Sequence, residues 1–77
     1  RPNQSIALGA LFSCEMGGAV EWFFFAGVAG GQVIQTGRGE VTVITARSPL
    51  LHRLSQLRAG ALFRLPNGEN GRVLTVE

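Results

Sequence analysis

Seventy-seven residues, 45% of them hydrophobic and 16% charged, make one small globular domain and exclude a disordered tail. A chain this short buries only about 60% of its unfolded surface, and its shortage of charge is what a surface partly covered by a partner would show. The net charge of +2 comes from Arg and Glu alone, and the Arg residues are scattered from Arg1 to Arg72, so the basic stripe with interleaved aromatics that marks a nucleic-acid footprint is not there.

Arg1 to Ser5 is polar, contains Pro2, and reads as the end of a linker; we place the linker at residues 1–6, leading in from a preceding region, and the domain at 7–77. Ala7 to Glu15 reads as a first strand, carrying Leu11, Phe12 and Cys14. Met16-Gly17-Gly18 is a turn, because glycine reaches positive φ without a Cβ clash. Ala19 to Ala26, rich in aromatics, is a second strand and completes a hairpin. The glycine-rich stretch from Gly27 to Gly39 holds a short edge strand at Gln32-Val33-Ile34 and a turn at Gly37-Arg38-Gly39. Glu40 to Ala46, nearly all β-branched, is the clearest strand.

Ser48 to Leu57 is the one good helix. Ser48 suits the N-cap, its side-chain oxygen free to accept a first-turn N–H, and Pro49 suits the first helical position, where no N–H is needed. Leu50, Leu54 and Leu57 recur at i, i+4, i+7 as an apolar stripe, and Arg58 faces the negative end of the helix dipole. Gly60 ends the segment. Ala61 to Leu65 and Arg72 to Val76 flank a turn-rich loop and form a closing hairpin. One short helix cannot cover two sheet faces. The predicted class is therefore α+β, a mostly antiparallel sheet of 4–6 strands with the helix across one face.

The chemistry-bearing residues are few. Cys14 has no disulfide partner and reads as a small core residue; one His and one Cys make no zinc set. His52 lies off the leucine stripe with no nucleophile or metal cluster beside it, and reads as a solvent-facing or capping residue. Gly27-Val28-Ala29-Gly30-Gly31 has the look of a phosphate loop but lacks the G-K-[ST] ending and a following helix. Glu15, Glu21 and Glu40 are isolated, so no acid–base pair is identified. We expect no catalytic residue, cofactor or metal. The apolar run Ala19–Ala29 is too short to cross a bilayer, no signal peptide is visible, and a cytoplasmic protein is the default.

The Trp22-Phe23-Phe24-Phe25 run is unusual. Strand side chains alternate faces, so if Phe23 and Phe25 meet the helix, Trp22 and Phe24 point away, joined by Leu11 and Val43. The expectation is an apolar interface at Leu11, Trp22, Phe24 and Val43, covered by a second copy as a homodimer, by an N-terminal coiled-coil domain, or by a larger partner. The alternative is a sheet curled enough to bury both faces.

The series Ser48-Pro49-Leu50, helix, Arg58-Ala59-Gly60, then alternating Phe63 and Leu65, resembles the C-terminal domain of the GreA/GreB transcription elongation factors. Gly9 to Cys14 looks like that family's first strand; Phe23, Phe25 and Gly27 look like its second; Pro66-Asn67-Gly68 and Arg72-Val73-Leu74 look like its closing hairpin. The resemblance runs from Leu8 onward. It implies an FKBP-like fold and a non-catalytic domain that docks on bacterial RNA polymerase. It also implies that the loop at Arg47, Ser48 and Pro49 contacts a coiled-coil element of the largest subunit at the rim of the secondary channel. A rigid proline on a fixed helix start loses little entropy on docking; plain helix initiation would use the same two residues.

The chain departs from the family in several places. Gln56 stands where the family has Gly, Arg47 where it has Asp or Asn, and the first hairpin is more apolar. The acidic-tipped coiled coil that helps hold the catalytic metal lies outside these 77 residues, and the chain has no Asp, so this domain is not expected to stimulate transcript cleavage by itself. Two further readings stay open. One is a stand-alone polymerase regulator of the Rnk type. The other is an FKBP-type peptidyl-prolyl isomerase, which would need a deep aromatic-lined pocket and has no Tyr or Asp here to orient a substrate carbonyl. Sequence-specific nucleic-acid binding and membrane association are not expected.

Overall fold

The computed structural model describes residues 4–77 and shows a mixed α+β domain, a six-stranded sheet with one short helix. Three hairpins build the sheet. Strands β1 (Leu11–Met16) and β2 (Ala19–Phe25) are joined by Gly17-Gly18, at φ of 60° and 82°. Two successive positive φ values are what a two-residue primed turn demands, and paired glycines supply them without strain. Strands β3 (Val33–Thr36) and β4 (Gly39–Ile44) form the second hairpin. Its turn is tied by the Thr36 hydroxyl, which accepts from the Arg38 N–H and donates to the Gly39 carbonyl. Strands β5 (Leu62–Arg64) and β6 (Asn70–Val76) form the third.

The spatial order is β3-β4-β2-β1-β6-β5. Four of the pairings are antiparallel, and β2 with β4 is parallel, matching Trp22 to Val41 and Phe24 to Val43. Strand β3 lies at one edge as expected, with all its residues exposed. Between Ser13 and Cys14 the β1–β6 register slips by one residue. Such a bulge re-phases the strand, which lets Val73 and Val76, three apart, both reach the core.

Helix α1 (Pro49–Leu54) packs on one sheet face. Its Leu51 and Leu54 join Phe12, Cys14, Phe23, Ile44, Phe63, Val73 and Val76 in the core. Each large apolar side chain removed from water there contributes about 1.5–3 kcal/mol. Phe12 and Phe23 stack across the first hairpin with centroids 5.5 Å apart. Phe63 lies against the backbone of Gly71, its cross-strand neighbour; a Cβ at Gly71 would stand 2.5 Å from the ring tip.

The helix is shorter than its sequence implies. It stops at Leu54, and Gln56 takes φ +70° while its N–H bonds to the Ile6 carbonyl. A left-handed residue cannot continue a right-handed helix. The fully buried helical leucines are Leu51 and Leu54; Leu50 and Leu57 are only half-buried. Arg58 therefore does not sit at the helix end, and instead pairs with Ser5 in an isolated bridge. The Ser48 side chain makes no capping bond, and the helix start is closed by its backbone, with the Leu51 N–H on the Ser48 carbonyl at 3.1 Å. The first strand starts at Leu11, four residues later than expected, because Gly9 at φ +92° turns the chain just before it. Of the residues assigned to a linker, Ile6 is wholly buried and exchanges backbone bonds with Gln56 and Leu57. The packed domain thus includes Ser5 and Ile6, while the linker reading of Arg1, Pro2 and Asn3 lies outside the described residues.

Candidate functional site: the β4–α1 corner and its groove

The corner between β4 and α1 is held by its own short bonds. The Ser48 N–H donates to the Thr45 carbonyl at 2.9 Å, closing a four-residue turn over Thr45-Ala46-Arg47-Ser48. The Arg47 N–H lies 3.4 Å from the Thr45 hydroxyl, which accepts from it. From the helix, His52 donates through Nε2 to the Ala46 carbonyl at 3.0 Å. That bond fixes the proton on Nε2 in the neutral ring, since a carbonyl only accepts. His52 is exposed, the solvent-facing alternative of the sequence reading, and it caps neither helix end but braces the turn from one side.

Arg47 and Pro49 stand exposed on this frame and Ser48 is half-buried. The three residues are contiguous, so the chain itself brings them together. The frame keeps them in one arrangement, which lowers the ordering cost of any contact they make. Pro49 occupies the first helical position and Ser48 keeps extended backbone at φ −70°, ψ 127°.

The corner also forms one wall of a groove of about 820 Å3. The other wall is the Gly27–Gly31 loop, and the floor is Phe23, Ile44 and Leu50. The loop is pinned at its far end, where the Gly31 N–H donates to the Val43 carbonyl at 2.9 Å. Ala29 takes φ +68°. Gly30 approaches the Thr45 side chain so closely that a Cβ would stand 3.1 Å from its methyl group. No local signal in the sequence places this loop against the corner, because the contact depends on β4 lying parallel beside β2.

The aromatic run behaves as strand alternation requires. Phe23 is buried and Phe25 packs on the same core, while Trp22 and Phe24 take the opposite face. On that face Leu11 is paired with Phe24, and Phe24 with Val43, so three of the four residues are neighbours and Trp22 lies one pair along. They do not form an open patch. Val43 is only 4% exposed, and Leu11, Trp22 and Phe24 are half-buried. The guanidinium of Arg38 lies 4.9 Å from the Trp22 ring centroid and forms an ion pair with Glu77. Arg38, in the β3–β4 turn, is the residue sequence reasoning missed; its distance of 16 positions from Trp22 hides the contact. Beside it the buried Ser13 hydroxyl bonds the exposed Thr75 hydroxyl at 2.6 Å, which gives the one buried side-chain hydroxyl of β1 its partner.

Cys14 is wholly buried, and burial pushes its thiol up to about 12. A thiol held protonated in apolar surroundings is neither a nucleophile nor a metal ligand. Among the described residues no cluster of His, Cys, Asp or Glu could hold a metal ion, and no helix is long and apolar enough to cross a membrane. Comparison with known protein families, with curated proteins and with solved structures finds no match for this chain.

Proposed function

We propose that this is a non-catalytic docking domain of the Gre type, with the FKBP-like variant of its α+β fold. In this reading it binds bacterial RNA polymerase through Arg47, Ser48 and Pro49, at the coiled-coil element of the largest subunit beside the secondary channel. The observation that carries the reading is the braced corner: Arg47 and Pro49 are exposed at the helix start on a turn fixed by Ser48, Thr45 and His52. Binding through a preorganised turn keeps most of its contact energy as affinity. A second support is Gln56. Its left-handed backbone at φ +70° is the conformation that selects Gly, and Gly is what the resemblance implies at this position. A cytoplasmic location follows from this role.

The test is retention of core RNA polymerase on the immobilised domain, alongside variants Pro49→Ala and Arg47→Glu. We expect the unaltered domain to retain polymerase and each variant to release it at lower salt. Absence of retention by a domain whose circular dichroism shows it folded would refute the proposal. Equal retention by both variants would move the contact away from the corner.

A further inference from the structure

The groove beside the corner has a chemistry that says what a partner brings to it. Its volume of about 820 Å3 falls within the usual range of binding clefts. Its floor is apolar, formed by Phe23, Ile44 and Leu50. Its lining holds one ionisable side chain, Arg47. Among the described residues the Arg47 guanidinium has no ion pair and no hydrogen bond. The facing wall repeats the pattern with backbone groups. The N–H groups of Gly27, Val28, Ala29 and Gly30 make no hydrogen bond among the described residues, although the loop they belong to is pinned at Gly31. Ala29 within this run takes φ +68°. The groove lining thus holds unpaired donors and no carboxylate.

We propose that the groove receives a peptide segment of the partner that carries an apolar side chain next to an acidic one. The apolar side chain lies on Phe23, Ile44 and Leu50, and the carboxylate meets Arg47, the one charged side chain of the lining. This rests on the docking reading and narrows what the partner presents at the corner. A phosphate backbone fits less well, because the groove has one cation and an apolar floor, and a phosphodiester would leave that floor wet.

The experiment is an amide NMR titration of the 77-residue chain with two synthetic peptides, acetyl-Glu-Leu-Leu-Glu-amide and its Gln-Leu-Leu-Gln counterpart. We expect shifts from the acidic peptide confined to Gly27–Gly31 and Thr42–Leu50, with a dissociation constant on the order of 1 mM. The Gln peptide should bind about fivefold more weakly, the size expected of one exposed ion pair. Arg47→Gln should bring the acidic peptide down toward the Gln peptide while leaving the Gln peptide unchanged, a pattern that misfolding would not produce. Shifts centred on the β3 edge or the Trp22 face, equal binding of both peptides, or displacement by a short single-stranded RNA would overturn the assignment. The polymerase assay separates the two ideas. Retention of polymerase without groove shifts sinks the groove and leaves the docking domain, whereas groove binding without retention sinks the docking domain.

Discussion

Replacing Gly71 with Ala tests whether the third hairpin is closed by an aromatic ring on bare backbone. The new Cβ would stand 2.5 Å from Phe63 Cζ, 2.8 Å from Cε2 and 3.0 Å from Cε1. Carbon atoms rest at about 3.5–4.0 Å, so the ring must retreat by roughly 1 Å. Phe63 has little room, being 7% exposed and part of the core cluster. Overpacking of this kind costs about 1–3 kcal/mol, and losing a glycine returns about 0.5–1 kcal/mol of chain entropy. With the ring held in the core the upper part of that cost applies, about 2–3 kcal/mol, so the net loss is about 1–2.5 kcal/mol, against a total stability of roughly 4–11 kcal/mol for a domain of this size. Urea unfolding followed by Trp22 fluorescence should show a lower midpoint with an unchanged slope, and Tm should fall by about 4–15 °C. In a Phe63→Leu background the ring is gone, and the same Ala should cost little, a coupling of about 1 kcal/mol. Wild-type stability in Gly71→Ala, or a full penalty persisting without the ring, would refute the packing argument.

Other perturbations read other parts of the fold. Gln56→Gly should stabilise the domain by about 0.5–1 kcal/mol, since a left-handed non-glycine residue costs about 1–2 kcal/mol and glycine gives part of that back as entropy; thermal unfolding checks it, and a drop in Tm would contradict it. Cys14 should resist alkylation at pH 8 except at the rate of global unfolding. Because burial lifts its thiol from 9.0 to about 12, the unfolded chain ionises first. The contribution of this thiol is complete below pH 9 and is lost as pH rises toward 12, so wild type should lose more stability than Cys14→Val between pH 8 and 10.5. Arg38→Gln should cost about 0.5–1 kcal/mol and alter the emission of Trp22, the single Trp, with part of the wild-type advantage screened by salt.

The element order was legible in the sequence because each piece has a local cause. Paired glycines set the first turn, β-branched residues from Val41 to Thr45 set β4, and Ser48-Pro49 set the helix start. What stayed hidden depends on distant residues. Leu51 joins Leu54 as a fully packed leucine, with Leu50 and Leu57 only half-buried against the core, because the sheet's placement sets which side of the helix is covered. Ile6 looked like linker because its partners, Gln56 and Leu57, lie fifty residues away in the chain. The corner could be placed from Ser48 and Pro49, yet its brace through His52 and its groove beside Gly27–Gly31 needed the fold. Strand alternation puts Leu11, Trp22, Phe24 and Val43 on one face, whereas the guanidinium of Arg38 over Trp22 needed the fold.

Strand β1 lies inside the sheet, and its second neighbour is β6, with Phe12 opposite Val76 and Leu11 exchanging two backbone bonds with Glu77. Within the domain, the strand made first therefore waits for the strand made last. During synthesis the three hairpins can form in turn, but the core around Phe12 and Val73 stays unsealed until the ribosome has released the last of these residues. Loss of β6 would open a seam through the middle of the sheet, where loss of an edge strand such as β3 would leave the core pairing of β1 intact.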